Sequence, residues 1–492
     1  AGAAISTGTR NIAIGGSAYQ ASDTESDNMA IGYNAMTTNT AGGSQNVAIG
    51  NYAADALTSA DNCVAIGYNA MTANNTGTTN TAVGALAMET NTTGAENVAI
   101  GFNAFNDNNA GYGVAIGSQC ATKNTTGASN VAIGNSALNT NTTGAQNIAI
   151  GRSALQLNVT HNNNVAVGFE ALRGNTAAGN TAVGYLAARA NTSGVRNTAI
   201  GAHAYQASDT ENDNTAMGFK CMEIDTAGGQ ANTGLGSYAL QDLTSGDANV
   251  ALGYAASQNV TSGSNNTTIG HNTGTTNTTA NSICAVGHDT LSSLTTGDKC
   301  VAIGQSAGSS ITEGENNICL GYHTGITGSP GGNQTTGSNR VFVGDEEISS
   351  AYIQVDWTVA SDERDKTDVK PIKMGLDFVN KLEPVTYYWD KRTKYVSEDD
   401  IMNGLVDLNE VVHDGTHKDD WEDIGFLAQS VEKLEEEYGH KMSDKTNLTT
   451  NITDDGAYGL TYAKFVPILT KAIQELSAQN ADLLERIKTL EG

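Results

Sequence analysis

A glycine preceded by an aliphatic residue or methionine recurs at 15, 32, 50, 67, 84, 101, 117, 134, 151, 168, 184, 201, 218, 236, 253, 270, 287, 304 and 321. These 19 copies are spaced 17 residues apart, and no step departs from 17 by more than one. A fixed period of this size marks a repeat architecture, in which units that cannot bury their own apolar face are stacked. The unit reads Asn-x-Ala-(Ile/Val)-Gly-x-x-Ala-(Leu/Met), as in Asn147-Ile148-Ala149-Ile150-Gly151-Arg152-Ser153-Ala154-Leu155. Asn-x-Ala-Ile alternates too tightly for a helix and predicts a short strand. The Gly predicts a corner with positive φ or close backbone approach. Ala stands two before it in 16 of 19 copies, so that side of the strand meets a near neighbour. The residue just before the Gly forms an apolar stripe that stacking is expected to bury. Asn stands four before it in 15 of 19 copies, and its amides are expected to bond to those above and below. With strands about 4.8 Å apart, such a stack makes a rod roughly 90 Å long. A disordered linker has no need of an apolar residue every 17 positions.

Charge divides the chain in two. Residues 1–344 hold 29 charged side chains and residues 345–492 hold 48, with the break near Gly328–Asn339, a Gly/Ser/Thr/Pro stretch. At 492 residues, more than one domain is expected. With 56 glycines and 6% aromatics, the composition is not that of a globular enzyme. A net charge of −27 argues against binding to nucleic acid through phosphate neutralisation and against anionic membrane surfaces. No apolar run approaches the ~20 residues that span a bilayer, and no signal peptide is visible. Ala1 in the first position suggests trimming or truncation.

The repeats resemble the head repeats of trimeric autotransporter adhesins, a left-handed β-roll, and more closely the repeat arms of predicted phage tail fibres. The six cysteines fall on the grid: Cys120 and Cys221 three after a repeat Gly, Cys319 two before one, Cys63 and Cys300 in the Asn slot, Cys284 three before Gly287. They are read as small buried apolar residues. One loop, Tyr19–Asn28, recurs almost unchanged at Tyr205–Asn214. Its acids (Asp23, Glu25 and Asp27, then Asp209, Glu211 and Asp213) admit two readings: a solvated acidic turn, or a structural Ca²⁺ site, an ion that takes about six to eight oxygens. No other cofactor is expected.

The C-terminal part carries Ala351-Tyr352-Ile353-Gln354-Val355-Asp356-Trp357-Thr358-Val359-Ala360-Ser361-Asp362-Glu363-Arg364-Asp365-Lys366, then Asp423-Ile424-Gly425-Phe426-Leu427-Ala428-Gln429 and Tyr462-Ala463-Lys464-Phe465-Val466-Pro467. In this order the motifs closely resemble the endosialidase-type intramolecular chaperone, a family of self-cleaving serine peptidases. The resemblance implies a trimeric, mainly helical module that assembles a β-rich fibre and is then released. Ser361 and Lys366 match the family's catalytic pair. A lysine serves such a serine as base only if burial or nearby cations favour its neutral form. Attack by Ser361 on the Ala360 carbonyl closes a five-membered ring, attack on its own carbonyl a strained four-membered one, and a neighbouring chain could attack either flank. Cleavage is therefore expected beside Ser361, next to Ala360 or Asp362. The plainer reading makes Ser361 a helix N-cap and Lys366 a surface charge. His413, His417 and His440 lie in polar stretches and read as surface residues. Val466, Ile473, Asn480 and Ile487 alternate with Leu469, Leu476, Leu483 and Leu490 in an unbroken heptad, which predicts a coiled coil with Asn480 setting register. Ile and Leu in this order lean dimeric in isolated peptides, so three strands rest on the resemblance.

The expectation is a mainly β chain: a 17-residue-repeat β-solenoid or β-roll arm over 1–327, a connector over 328–350, an α+β chaperone and autoprotease module over 351–464, and a coiled coil over 465–492. Function is expected to be that of a virion fibre, a homotrimer joined to the particle by an adaptor protein and touching a host surface glycan or protein. A bacterial surface adhesin is the nearest alternative. A fibre-borne polysaccharide depolymerase is another; it needs two carboxylates about 5–10 Å apart beside an aromatic-lined cleft.

Overall fold

The structure, a computed structural model, describes residues 1–492 apart from 22–23, 40–41, 225–227, 330, 355–357, 398–399, 401–405 and 454–455. It divides into two compact units, Ala1–Val301 and Ala302–Gly492. The fold is mainly β, a solenoid of 17-residue repeats followed by a small module with helices.

In the first unit each turn supplies one three-residue strand, from β1 (Ile12–Ile14) to β17 (Cys284–Val286). Each strand pairs in parallel with the next without a slip; between β9 (Ile148–Ile150) and β10 (Val165–Val167), Ala149 faces Ala166. The repeat Gly is required on two counts. Gly151 has φ +130°, and a Cβ there would lie 2.3 Å from the carbonyl oxygen of Gly168 on the next turn. Three further residues per turn take the left-handed region although they are not glycines: Ser153 (φ 58°), Leu155 (φ 48°) and Asn163 (φ 61°). Each costs about 1–2 kcal/mol. What offsets the cost is hydrogen bonding along the stack: Ser153 and Asn163 donate backward to Asn135 and Ala145, and Leu155 donates forward to Ala171.

Side-chain alternation decides what is inside. Beyond β1, the strand alanines, Ala149 among them, are buried and form a narrow inner column with Ala154 and Leu155. The aliphatic stripe before each Gly, expected to be buried by stacking, lies outside: Ile14 is 58% exposed and Leu252 41%. A strand that turns Ala inward must turn both its neighbours outward, and in most turns the slot has little room for anything larger. Gly234 replaces the Ala where a Cβ would meet Cys221 Sγ at 2.5 Å. Thr268 is admitted where Gly274 and Ser257 leave room, with the Ser257 and Thr268 hydroxyls 2.8 Å apart.

The Asn column is present, but its main bond differs from the one expected. Asn147 Oδ1 accepts the backbone N–H of Asn164 at 3.0 Å, and its Nδ2 donates to the His161 carbonyl at 2.9 Å. Amide-to-amide contact is the secondary bond, 3.2 Å from Asn164 Nδ2. A second buried Asn column, seven residues after the repeat Gly, makes direct amide bonds: Asn124 donates to Asn108 and Asn141 to Asn124, each at 2.6 Å. Asn147→Ala leaves the buried Asn164 N–H without its acceptor, while the His161 carbonyl keeps the Asn158 amide. We expect a loss of about 1–3 kcal/mol, read from urea unfolding.

The cysteines are free thiols, five of them buried. Cys284 is the exception: it takes an outward strand position and is only half-buried. Burial pushes the Cys120 and Cys221 thiols up to about 12. Alkylation at pH 8 is expected to spare both in the folded protein and to modify them in denaturant, as peptide mapping would show.

In the second unit, β19 (Ile318–Leu320) pairs in parallel with β20 (Val341–Val343) after a 23-residue step. This strand falls within 328–350, the segment read as a connector. Phe342 occupies the Ala slot and Arg340 the Asn slot, so the pattern that stacks one turn on the next stops here. The module that follows contains α1 (Leu376–Lys381), β21 (Val385–Tyr387), β22 (Asp423–Gly425), α2 (Ala428–Glu437), the hairpin β23 (Thr450–Ile452) and β24 (Tyr458–Leu460), and α3 (Phe465–Glu491). Its core joins Met374 and Phe378 to Val431, Leu434, Phe465 and Ile468.

Candidate functional site

The residues singled out as the cleavage pair stand in an exposed segment that precedes this core. Lys366 Nζ donates to Ser361 Oγ at 2.7 Å and to the Ser361 carbonyl at 3.1 Å. The turn between them, Glu363–Asp365, is one 3-10 turn, which brings residues five apart into contact. Its N-cap is Asp362, whose Oδ1 accepts the Arg364 N–H at 2.9 Å. The cap position is thus filled by the next residue, and Ser361 keeps its hydroxyl for Lys366. Asp362 is also held by the Arg364 guanidinium, which lowers its carboxyl below the usual range. One of the three acids around Lys366 is in this way engaged elsewhere. Ala360 is exposed beside the pair.

The other C-terminal motifs tie the module to the root of α3. Gly425 lies where a Cβ would meet Tyr462 Oη at 2.5 Å, and Tyr462 Oη accepts the Phe426 N–H at 3.2 Å. Phe426 stacks on Phe465 with ring centroids 5.4 Å apart. Glu475, one turn beyond the buried Ala472, accepts the Leu376 N–H at 2.8 Å and so caps α1. The fully buried Glu435 accepts from Thr449 N–H at 2.7 Å and from both Thr449 and Thr450 hydroxyls, anchoring the hairpin to α2. His413 rests on Asp390 at 3.1 Å, His417 against the Tyr395 ring, and His440 on the Thr446 carbonyl, all on the surface as expected.

Along α3 two faces differ. Phe465, Ile468 and Ala472 are buried in the module, while the heptad seam is open: Ile473 is 67% exposed and Leu483 50%.

The acidic loops are occupied by their own surroundings. Glu211 is buried and accepts from Asp209 N–H, Thr210 N–H and Gly228 N–H, and Asp213 forms a two-bond pair with Arg196. Glu25 and Asp27 repeat this with Gly42 and Arg10; Asp23 lies outside the described residues. The described carboxylates of the two loops thus have hydrogen-bond or ion-pair partners of their own within the chain.

Sequence reading missed a run of surface rings one or two residues after the repeat Gly. Phe169, Tyr185, His203, Phe219, Tyr238, Tyr254, His271 and His288 follow one another with centroids 4.9–6.1 Å apart. The 17-residue grid held the signal, since all eight fall on two slots of it.

Residues 361–440 match the family model of the chaperone of endosialidase, Peptidase S74, and the match begins at Ser361. Such a domain at the end of a long parallel β-solenoid fits a tail-fibre-like protein. No curated protein matches the chain. Among the described residues no helix is long and apolar enough to cross a membrane.

Proposed function

We infer that the chain is the shaft of a homotrimeric phage tail fibre or spike used in host attachment, and that its C-terminal module aligns three copies before cutting itself off beside Ser361. The observation that carries this reading is the open heptad seam of α3, with the outward aliphatic stripe of the solenoid in support. Seven large apolar side chains at the seam positions of one helix face are 43–87% exposed. Three copies joined at that seam start their shafts in one register. This matters because arrays mispaired by one turn bury nearly as much surface as the right arrangement, and non-local β assembly is slow.

For cleavage, Ser361 Oγ adds to the Ala360 carbonyl carbon, the C–N bond to Ser361 breaks, and the resulting ester is hydrolysed by water. Lys366 must accept the hydroxyl proton, which requires the pair to be withdrawn from water by a neighbouring copy. Assembly and cleavage are coupled in this way, and the cut removes the route back to separate chains.

Light scattering on the uncleavable Ser361→Ala protein is expected to give three times the 50.8 kDa chain mass. Ile473→Glu combined with Leu476→Glu is expected to leave a monomer, because charges at seam positions cannot be buried. A monomeric Ser361→Ala protein would overturn the trimer.

A further inference from the structure

We propose that His271, His288 and Asp289 form a surface site for one divalent transition-metal ion, of the zinc, nickel or copper kind, on the solenoid wall. Among the described residues this is the group of His, Cys, Asp and Glu side chains whose ligand atoms all lie within 4.8 Å of one another. The repeat places it. His271 and His288 hold the same slot, just after Gly270 and Gly287, on consecutive turns. Their rings stack at 4.9 Å with planes 4° apart. The backbone is pinned as well, since Asp289 N–H donates to the His271 carbonyl at 3.0 Å.

The carboxylate gives the pair its metal-binding character. Asp289 Oδ2 lies 2.9 Å from His288 Nδ1. A proton held on Nδ1 by that contact leaves the Nε2 lone pair free, the arrangement by which carboxylates orient metal-bound histidines. Zn–N bonds of about 2.0–2.1 Å place two tetrahedral donors about 3.3 Å apart. Both rings are exposed, so rotation about their side-chain bonds can close that gap without moving the backbone. Two imidazoles beside one carboxylate select zinc, nickel or copper over calcium or magnesium, which prefer all-oxygen shells. A bound ion would bridge two turns of the stack and stabilise them by mass action.

The test is isothermal titration of the full chain with ZnCl₂, with CaCl₂ as competitor. One zinc per chain is expected, unaffected by a tenfold excess of calcium. His271→Ala and His288→Ala should each weaken that event at least tenfold, and Asp289→Asn by about 10–100-fold. With copper, the electron spin resonance spectrum should show two nitrogen ligands in the parent and one in either His variant. All three side chains are at least partly exposed, so the variants are expected to keep the parent's melting temperature without metal. Titrations of the two His variants that match the parent, or no zinc binding up to millimolar concentration, would overturn the site.

Discussion

Mass spectrometry of purified wild-type protein is expected to give two fragments that meet beside Ser361, and the Ser361→Ala protein one full-length species. The Ser361 hydroxyl already carries the Lys366 ammonium at 2.7 Å, and the helical cap that competed for it is supplied by Asp362. Lys366→Ala should lose cleavage nearly as completely, because nucleophile and base act as a unit and removing either costs about as much as removing both. Asp362→Asn keeps a capping oxygen but removes a carboxylate near Lys366 and frees the Arg364 cation, which favours the neutral amine, so cleavage should be kept or quickened. The seam variants offer an independent check. If cleavage needs a neighbouring copy, Ile473→Glu with Leu476→Glu stops it while Ser361 and Lys366 are intact. Full cleavage in a monomer would separate the chemistry from the assembly and leave only the first standing.

Gly151→Ala should destabilise the shaft by about 3 kcal/mol or more, among the largest effects open to a single methyl group. Two costs add: an L residue held at φ +130°, and a Cβ only 2.3 Å from the Gly168 carbonyl oxygen. That oxygen is backbone in a packed stack, so relief requires the turns to separate. Arg152→Ala, one residue along on the exposed side, loses only the guanidinium contact over the Phe169 ring at 5.7 Å and should cost no more than about 1 kcal/mol. Thermal unfolding of the two variants side by side measures the contrast.

Much of this was legible in the residues because a solenoid is nearly one-dimensional: its contacts repeat at a fixed sequence distance. The Gly slot illustrates this well, since a positive φ or a close backbone approach was expected and both occur at Gly151. The Asn slot was legible as a column but not as a bond, because Asn147 can reach either an amide or a backbone N–H and only the stack spacing selects the second. Cys284 shows a related limit. Its place on the grid was known, yet its exposure follows from which side of the strand that place faces.

By itself the sequence determined the 17-residue pitch, the strand at each Asn-x-Ala-Ile, the contact between small residues on successive turns, and the five-residue spacing of Ser361 and Lys366. Tertiary structure alone decided that the aliphatic stripe points outward, that Val341–Val343 joins the stack after a 23-residue step, and that the seam of α3 stays open beyond the buried Ala472. The reason lies in what each level can encode. A period specifies which residues neighbour one another along the stack, whereas inside and outside depend on how much room the packed turn leaves at each slot, and the inward strand slot mostly has room for little more than a methyl group.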